Sequence, residues 1–304
     1  MPNKHDNYAT VQEENWNLVP PPPLPPPSLH IVPLPSSVVK QTFFKKVAEN
    51  SAPSSGGCEE FKRMIKNSQS RFSENLQWLL YNKYVPSMIQ EGPQCGLVAL
   101  WMAGRLLNMT QEVTLGAIVE TAVSRRYTAQ GEMFSAANMA SLGEEVFGCR
   151  SELLTGGMDG ENRDRILHHL TTGLPLLVPY DDDFNHEPCQ REGHSAHWAV
   201  ISGVLFGTEG GSFNPDPDIP GLCYPNSNSF VLEDHEIQEI YLVAKQGKSL
   251  RYKLWEYGAV SRSNGQLIYF DPKRENDGRV YILPDGGVKA GLCGFSVLLH
   301  PKES

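Results

Sequence analysis

The sequence has no run of about 18 apolar residues, the length a helix needs to cross a bilayer. Its first residues, Met1-Pro2-Asn3-Lys4-His5-Asp6, also lack the apolar core of a secretory signal. Both absences predict a cytoplasmic protein with no membrane partner. Basic clusters are missing too. With 26 Lys and Arg against 35 Asp and Glu, the net charge is -9. Nucleic-acid binding needs a concentrated basic face to displace counterions, so nucleic acid is excluded as a partner. Cysteine is scarce and unpaired in spacing. Cys58, Cys149, Cys223 and Cys293 are scattered along the chain, which suggests reduced thiols and neither a disulfide framework nor a zinc ribbon.

Proline, in contrast, is concentrated at one end. Val19-Pro20-Pro21-Pro22-Pro23-Leu24-Pro25-Pro26-Pro27 and Ile31-Val32-Pro33-Leu34-Pro35 can form neither a helix nor an interior strand. They predict a disordered, extended tail. Polyproline favours the PPII helix, which SH3, WW, EVH1 or profilin surfaces bind at low ordering cost. The leucines among the prolines give such a groove something to read. Ser51-Ala52-Pro53-Ser54-Ser55-Gly56-Gly57 closes the tail as a linker. The expected organisation is therefore a tail and linker over 1–57 and a folded domain over 58–304.

In that domain the hydrophobic period changes midway. Phe61, Ile65, Phe72, Leu76, Leu79 and Leu80 recur at helical spacing, as two short amphipathic helices would. Helices are expected from Thr114 to Ser124, after an N-cap at Ser135, and from Asp159-Gly160-Glu161-Asn162 to about Gly173. Strands are expected from there on: 173–179, 197–203, 240–245, 250–255, 266–270, 279–283 and 295–300. A Gly-, Pro-, Asn- and Asp-rich stretch from about Gly207 to Asn228 reads as a long loop. A helical half followed by an antiparallel sheet is the α+β class.

One residue sits at a chemically special place. In Gln90-Glu91-Gly92-Pro93-Gln94-Cys95-Gly96-Leu97 a turn leads into an apolar helix. Cys95 is then at the helix N-terminus, where free N–H groups and the dipole favour a thiolate and predict a lowered pKa. A second candidate lies in Gly193-His194-Ser195-Ala196-His197-Trp198-Ala199-Val200, where His197 starts an apolar strand. An imidazole held there could take the thiol proton and later protonate a leaving amine.

Pro93-Gln94-Cys95-Gly96 before a helix, with His197-Trp198-Ala199-Val200 on a later strand, resembles the papain-like cysteine peptidases, nearest the branch with the bacteriocin-processing enzymes. The string Gly286-Gly287-Val288-Lys289-Ala290-Gly291-Leu292-Cys293-Gly294 and the proline-rich tail narrow the resemblance to members that process actin. It implies a papain-like fold, Cys95 as nucleophile and His197 as base, with no cofactor. It further implies removal of the N-terminal acetylated Met or Cys from immature actin, with the tail recruiting profilin that carries actin. Such enzymes use a glutamine ahead of the cysteine to bind the oxyanion; Gln90 stands one residue closer than usual, and Gln94 adjoins the cysteine. They also orient the imidazole with an Asn or Asp on a following strand. Asp271 has that local context, and Asn214 and Asp216 are rivals. An acidic product terminus would call for a basic group nearby, for which Arg125 and Arg126 are candidates. Two other classes compete. His186, Cys189, His194 and His197 have ligand-like spacing for zinc, and a proline-rich module on an inactive domain would be an adaptor.

Overall fold

The computed structural model describes residues 56–107, 109, 112–226 and 237–302, so the proline-rich tail lies outside the described residues. The chain forms α1 (Gly56–Ser68), β1 (Gln77–Asn82), α2 (Cys95–Gly104), α3 (Leu115–Ser124), α4 (Ala136–Phe147), β2 (Arg150–Leu154), α5 (Glu161–Thr171), β3 (Leu176–Asp182), β4 (Pro188–Cys189) and β5 (Ala196–Thr208). After these come β6 (Asn214–Pro215), β7 (Leu222–Tyr224), β8 (Ile237–Gln246), β9 (Lys253–Glu256), α6 (Tyr257–Asn264), α7 (Pro272–Glu275), α8 (Gly287–Leu292) and β10 (Ser296–His300). The class is α+β, as expected.

Local chemistry accounts for several boundaries. Thr114 and Ser135 cap α3 and α4 by accepting the N–H groups of Ala117 and Asn138. Gly148, at φ 60°, ends α4 in the left-handed conformation. Three expectations fail. Gly56 and Gly57 are not linker but the first turn of α1. The second helix expected before residue 82 is β1, because Leu79 packs into one core and Trp78 and Leu80 into another; a strand buried on both faces loses its two-residue alternation. Segments 266–270 and 279–283 are not strands either. The N–H groups of Ile268 and Tyr269 both donate to the carbonyl of Glu192, and that of Ile282 to the carboxylate of Glu132.

The sheet runs β2-β10-β3-β5-β1-β7-β6, with β8 on the other edge of β5 and β9 beyond it. All pairings are antiparallel except β1 with β7. β5 is the axis: all thirteen residues are buried. Its first half pairs with β3 and its second with β1, and the register shifts at Ser202 between Ile201 and Gly203. Gly203 is required there, since a Cβ would run into the backbone of Tyr81 and Asn82. On one face, α2, α3 and α4 pack on Trp198 and Val200; on the other, Ile166, Leu170 and Val260 of α5 and α6 pack on Tyr180, Ala199 and Ile201. A third core joins Phe61 and Ile65 of α1 to Leu205, Tyr241 and Val243.

Two buried basic groups stand out. Lys245 on β8 places its ammonium 4.0 Å from the centre of the Tyr252 ring and 3.5 Å from Glu60 of α1, whose other oxygen accepts the Tyr252 N–H. Burial lowers the pKa of this lysine, and Glu60 opposes the shift. His169 on α5 meets the carbonyl of Pro175 at 3.0 Å and lies edge-on to His300. Burial lowers its pKa to about 4, the Pro175 carbonyl acting in the opposite sense. The unfolded chain, with an ordinary histidine pKa near 6.5, then binds more protons than the folded one in this window. Stability should therefore fall as pH drops from about 6.5 towards 4, by on the order of 3 kcal/mol from this residue. Urea unfolding against pH checks this: His169→Gln should show a shallower acid loss, and an unchanged profile would contradict it.

Candidate active site

Helix α2 is apolar on every side, and all ten of its residues are buried. A helix of that kind is held by its surroundings on all faces, which fixes the position of its first residue. Gly92, at φ 57°, and Pro93 turn the chain into it, and the N–H of Val98 closes the first turn on the carbonyl of Gln94. The N–H groups ahead of Val98 have no partner within the helix and are available at Cys95. Gly96 has no room for a side chain against Met133 and Met139.

Cys95 meets the sheet where β5 is uncovered. β8 stops with Gln246 opposite Ala199, and the segment leading to Cys95 continues past that end, with the N–H of Gln90 donating to the carbonyl of Gly247 at 2.7 Å. A small cavity beside the sulfur is lined by Pro93, Met133, Phe134, Trp198 and Arg274, with Glu132 at its wall. Burial raises the Cys95 thiol above its ordinary value; the charges of Arg274 and Lys248 and the backbone N–H groups of Trp198 and Gly96 pull the other way without prevailing. The lowered pKa expected from the helix end is thus overridden, because desolvation of a charge costs more than a helix terminus returns.

His197, also buried, leaves β5 on the side of Tyr180, to which it lies edge-on with ring centres 5.8 Å apart. Ionising Cys95 would push the Tyr180 hydroxyl pKa further up, in the same direction as burial. The imidazole Nε2 is 3.3 Å from Oε1 of Gln246. An amide oxygen only accepts, so a hydrogen bond in this contact calls for the tautomer protonated on Nε2. Burial and the nearby Lys248 charge hold the His197 pKa well below the usual histidine range, and the Gln246 bond opposes them.

The loop ahead of His197 is fixed by Asp181. This fully buried carboxylate accepts the N–H groups of Arg191, Gly193 and Ser195 and the side-chain amide of Gln266, all at 2.7–2.9 Å. Gly193, at φ 95°, lies so close to the backbone of Ile268 and Tyr269 that no side chain fits.

Other candidates fall elsewhere. Asp271 is not brought to His197: it caps α7, accepting the N–H of Lys273 at 2.9 Å. Its rivals are at the far end of the sheet, Asn214 bonded to the carbonyl of Pro225 and Asp216 paired with Lys62 and Tyr224. Gln90 donates its amide nitrogen to the carbonyl of Gly92 and does not line the cavity, while the Gln94 side chain lies against Gly131. Arg125 binds Glu145 through two of its guanidinium nitrogens, and Arg126 follows the cap of α3 at φ 59°. The zinc alternative fails on geometry. His186 faces Asp182, His194 lies beside Tyr269 and His197 meets Gln246; among the described residues no three His, Cys, Asp or Glu converge on a metal position.

Gln246 is the partner that the sequence did not disclose. It is fully buried, and its amide nitrogen has no partner among the described residues. The available signal was a polar residue closing an apolar strand that neighbours the histidine strand.

Residues 85–205 match the family described as "Actin maturation protease-like, C-terminal domain", a span that holds both Cys95 and His197. The chain is 76% identical over 270 residues to the actin maturation protease of Xenopus tropicalis, covering 89% of each. To that of Homo sapiens it is 50% identical over 272 residues, covering 87% of this chain and 78% of the other. To that of Drosophila melanogaster it is 31% identical over 210 residues, covering 68% and 65%. Among solved structures, a putative C39-like peptidase from Bacillus anthracis aligns with TM-score 0.39 and 9% identity over 72% of this chain and 96% of that one. At identities of 76% and 50% over nearly the whole domain, the chain belongs to the actin maturation protease family and is a protease.

Proposed function

We propose that the protein is a cysteine peptidase of the aminopeptidase type that removes the acetylated N-terminal Met or Cys from immature actin in the cytosol. One observation supports the assignment of the site: Cys95 begins a buried helix and receives the backbone N–H of Trp198, the residue that follows His197 on β5, and the Nε2 of that histidine is held by a buried amide. The relatives' name supplies actin. The largely apolar cavity wall suits an uncharged sulfur side chain.

In this mechanism the resting pair is a thiol and a neutral imidazole, not an ion pair. His197 Nδ1 takes the thiol proton as Sγ forms a bond to the carbonyl carbon after the first residue. The N–H groups at the start of α2, including that of Cys95, receive the developing oxyanion. Gln90, whose amide points to Gly92, is not assigned that task. The imidazolium gives its proton to the amine nitrogen, the C–N bond breaks and the shortened chain leaves. Water then adds to the thioester with His197 as base, the sulfur regains its proton, and the acetylated residue is released. Gln246 replaces Asp271 as the group that orients the imidazole.

Three measurements test this reading. Cys95→Ala should abolish cleavage of an acetylated N-terminal peptide and His197→Ala lower kcat by about two to four decades. Gln246→Ala should cost more than Asp271→Ala, and the reverse order would return the role to Asp271. In the free protein, alkylation of Cys95 by iodoacetamide should be slow at neutral pH and rise to a midpoint above the ordinary thiol value near 8.5, because burial disfavours the thiolate. Fast alkylation at pH 6 would instead mean a preformed ion pair.

The tail, we infer, is a tether that binds profilin through Pro20 to Pro35 and raises the local concentration of attached actin. Deleting residues 1–50 should leave kcat on a short peptide unchanged and raise KM for actin delivered on profilin. Equal damage to both substrates would place the tail in the fold or the site.

A further inference from the structure

Arg274 is the one basic group of the Cys95 cavity, and its charge has no carboxylate at ion-pair distance among the described residues. Asp271 caps the short helix that carries it, and its guanidinium lies over the Phe134 ring, 5.7 Å from the centre. The other cation that acts on Cys95, Lys248, is already paired with Asp182 at 2.5 Å. The carboxylate that shares its cavity, Glu132, and the one whose pKa its charge lowers, Asp277, are both taken. Asp277 binds the Tyr281 hydroxyl and the Arg279 N–H. Glu132 accepts from Thr128, Ala129, Gln130 and Ile282. A half-buried guanidinium keeps five donors and a full charge, and the partner that matches that fork is a carboxylate.

We infer that Arg274 is a specificity-determining residue that binds an acidic side chain of the substrate just beyond the bond that Cys95 attacks. The side follows from the proposed function, on which this inference rests. If a single blocked residue, uncharged in either form, lies on the acyl side, any carboxylate within reach of Arg274 belongs to the polypeptide that departs. The substrate class is therefore an N-acetylated chain whose second or third residue is Asp or Glu. Contact with the leaving chain also keeps the scissile bond beside the thiol, so the preference is read in kcat/KM.

Three peptides of equal length test this, each beginning with acetyl-Met and followed by Asp-Glu, Asn-Gln or Lys-Lys. Wild type should prefer the acidic peptide over the neutral one by about tenfold or more, the worth of one charge-assisted contact. Arg274→Gln should bring that ratio near one, Arg274→Lys should keep part of it, and Arg274→Glu should favour the Lys-Lys peptide. Thermal melting confirms that each variant is folded. Fluorescence anisotropy of the same peptides on Cys95→Ala, with and without Arg274→Gln, reads the preference without turnover. If wild type cleaves none of the peptides but the binding preference is present and vanishes with Arg274→Gln, the proposed reaction is wrong and this inference stands. If the preference in binding is absent, or survives Arg274→Gln, the inference falls whatever the turnover shows.

Discussion

Dryness of the site is the constraint from which its other features follow. A sulfur at the start of α2 could be a thiolate if water or a strong cation reached it, but burial raises its pKa and lowers that of His197. Both shifts favour the uncharged forms. In the proposed mechanism a neutral base needs an orienting partner that does not charge it, and an amide meets that need better than a carboxylate, which would draw the imidazole towards its protonated form. Gln246 in place of an aspartate is therefore consistent with a site that separates charge only while substrate is bound.

Fixing such a base needs a rigid frame, and the frame is built around another buried charge. Asp181 stands one residue beyond Tyr180 on β3, and three backbone donors and one amide surround its oxygens. A buried carboxylate is costly unless its lone pairs are filled. Here filling them is what shapes the loop that ends at His197. The unusual backbone of Glu192, at φ 57°, and Gly193 follows from bringing these N–H groups to one point. Gln266, just past α6, supplies that amide, and Ser263 near the end of α6 accepts the backbone N–H of Asp181.

How far the site was legible depended on whether a residue's chemistry is local. Cys95 could be read because a turn, a proline and an apolar helix are contiguous. The cap Ser135 could be read for the same reason. His197 needed only its own strand. Gln246, in contrast, lies 49 residues from His197 and matters only because β8 happens to stop opposite Ala199. Asp271 looked apt because Phe270-Asp271-Pro272 resembles a strand end; the same Asp-Pro pair is a helix start, and that use prevailed. β2 escaped notice because it is half exposed, and α6 because Tyr-Gly-Ala-Val-Ser-Arg-Ser-Asn has little apolar period. The thiol's pKa departs from the expectation because the helix end is visible in sequence and the depth of burial is not.

The Lys245 cage has a mechanical consequence. α1 is fastened to the sheet through Glu60, which grips both Lys245 and the backbone of Tyr252. A pull on α1 is therefore delivered to β8 at Lys245, and the next residue along that strand is Gln246, whose oxygen steadies His197. The anchor of the helix and the brace of the imidazole are consecutive links on one stiff strand. Load and chemistry share a single lever.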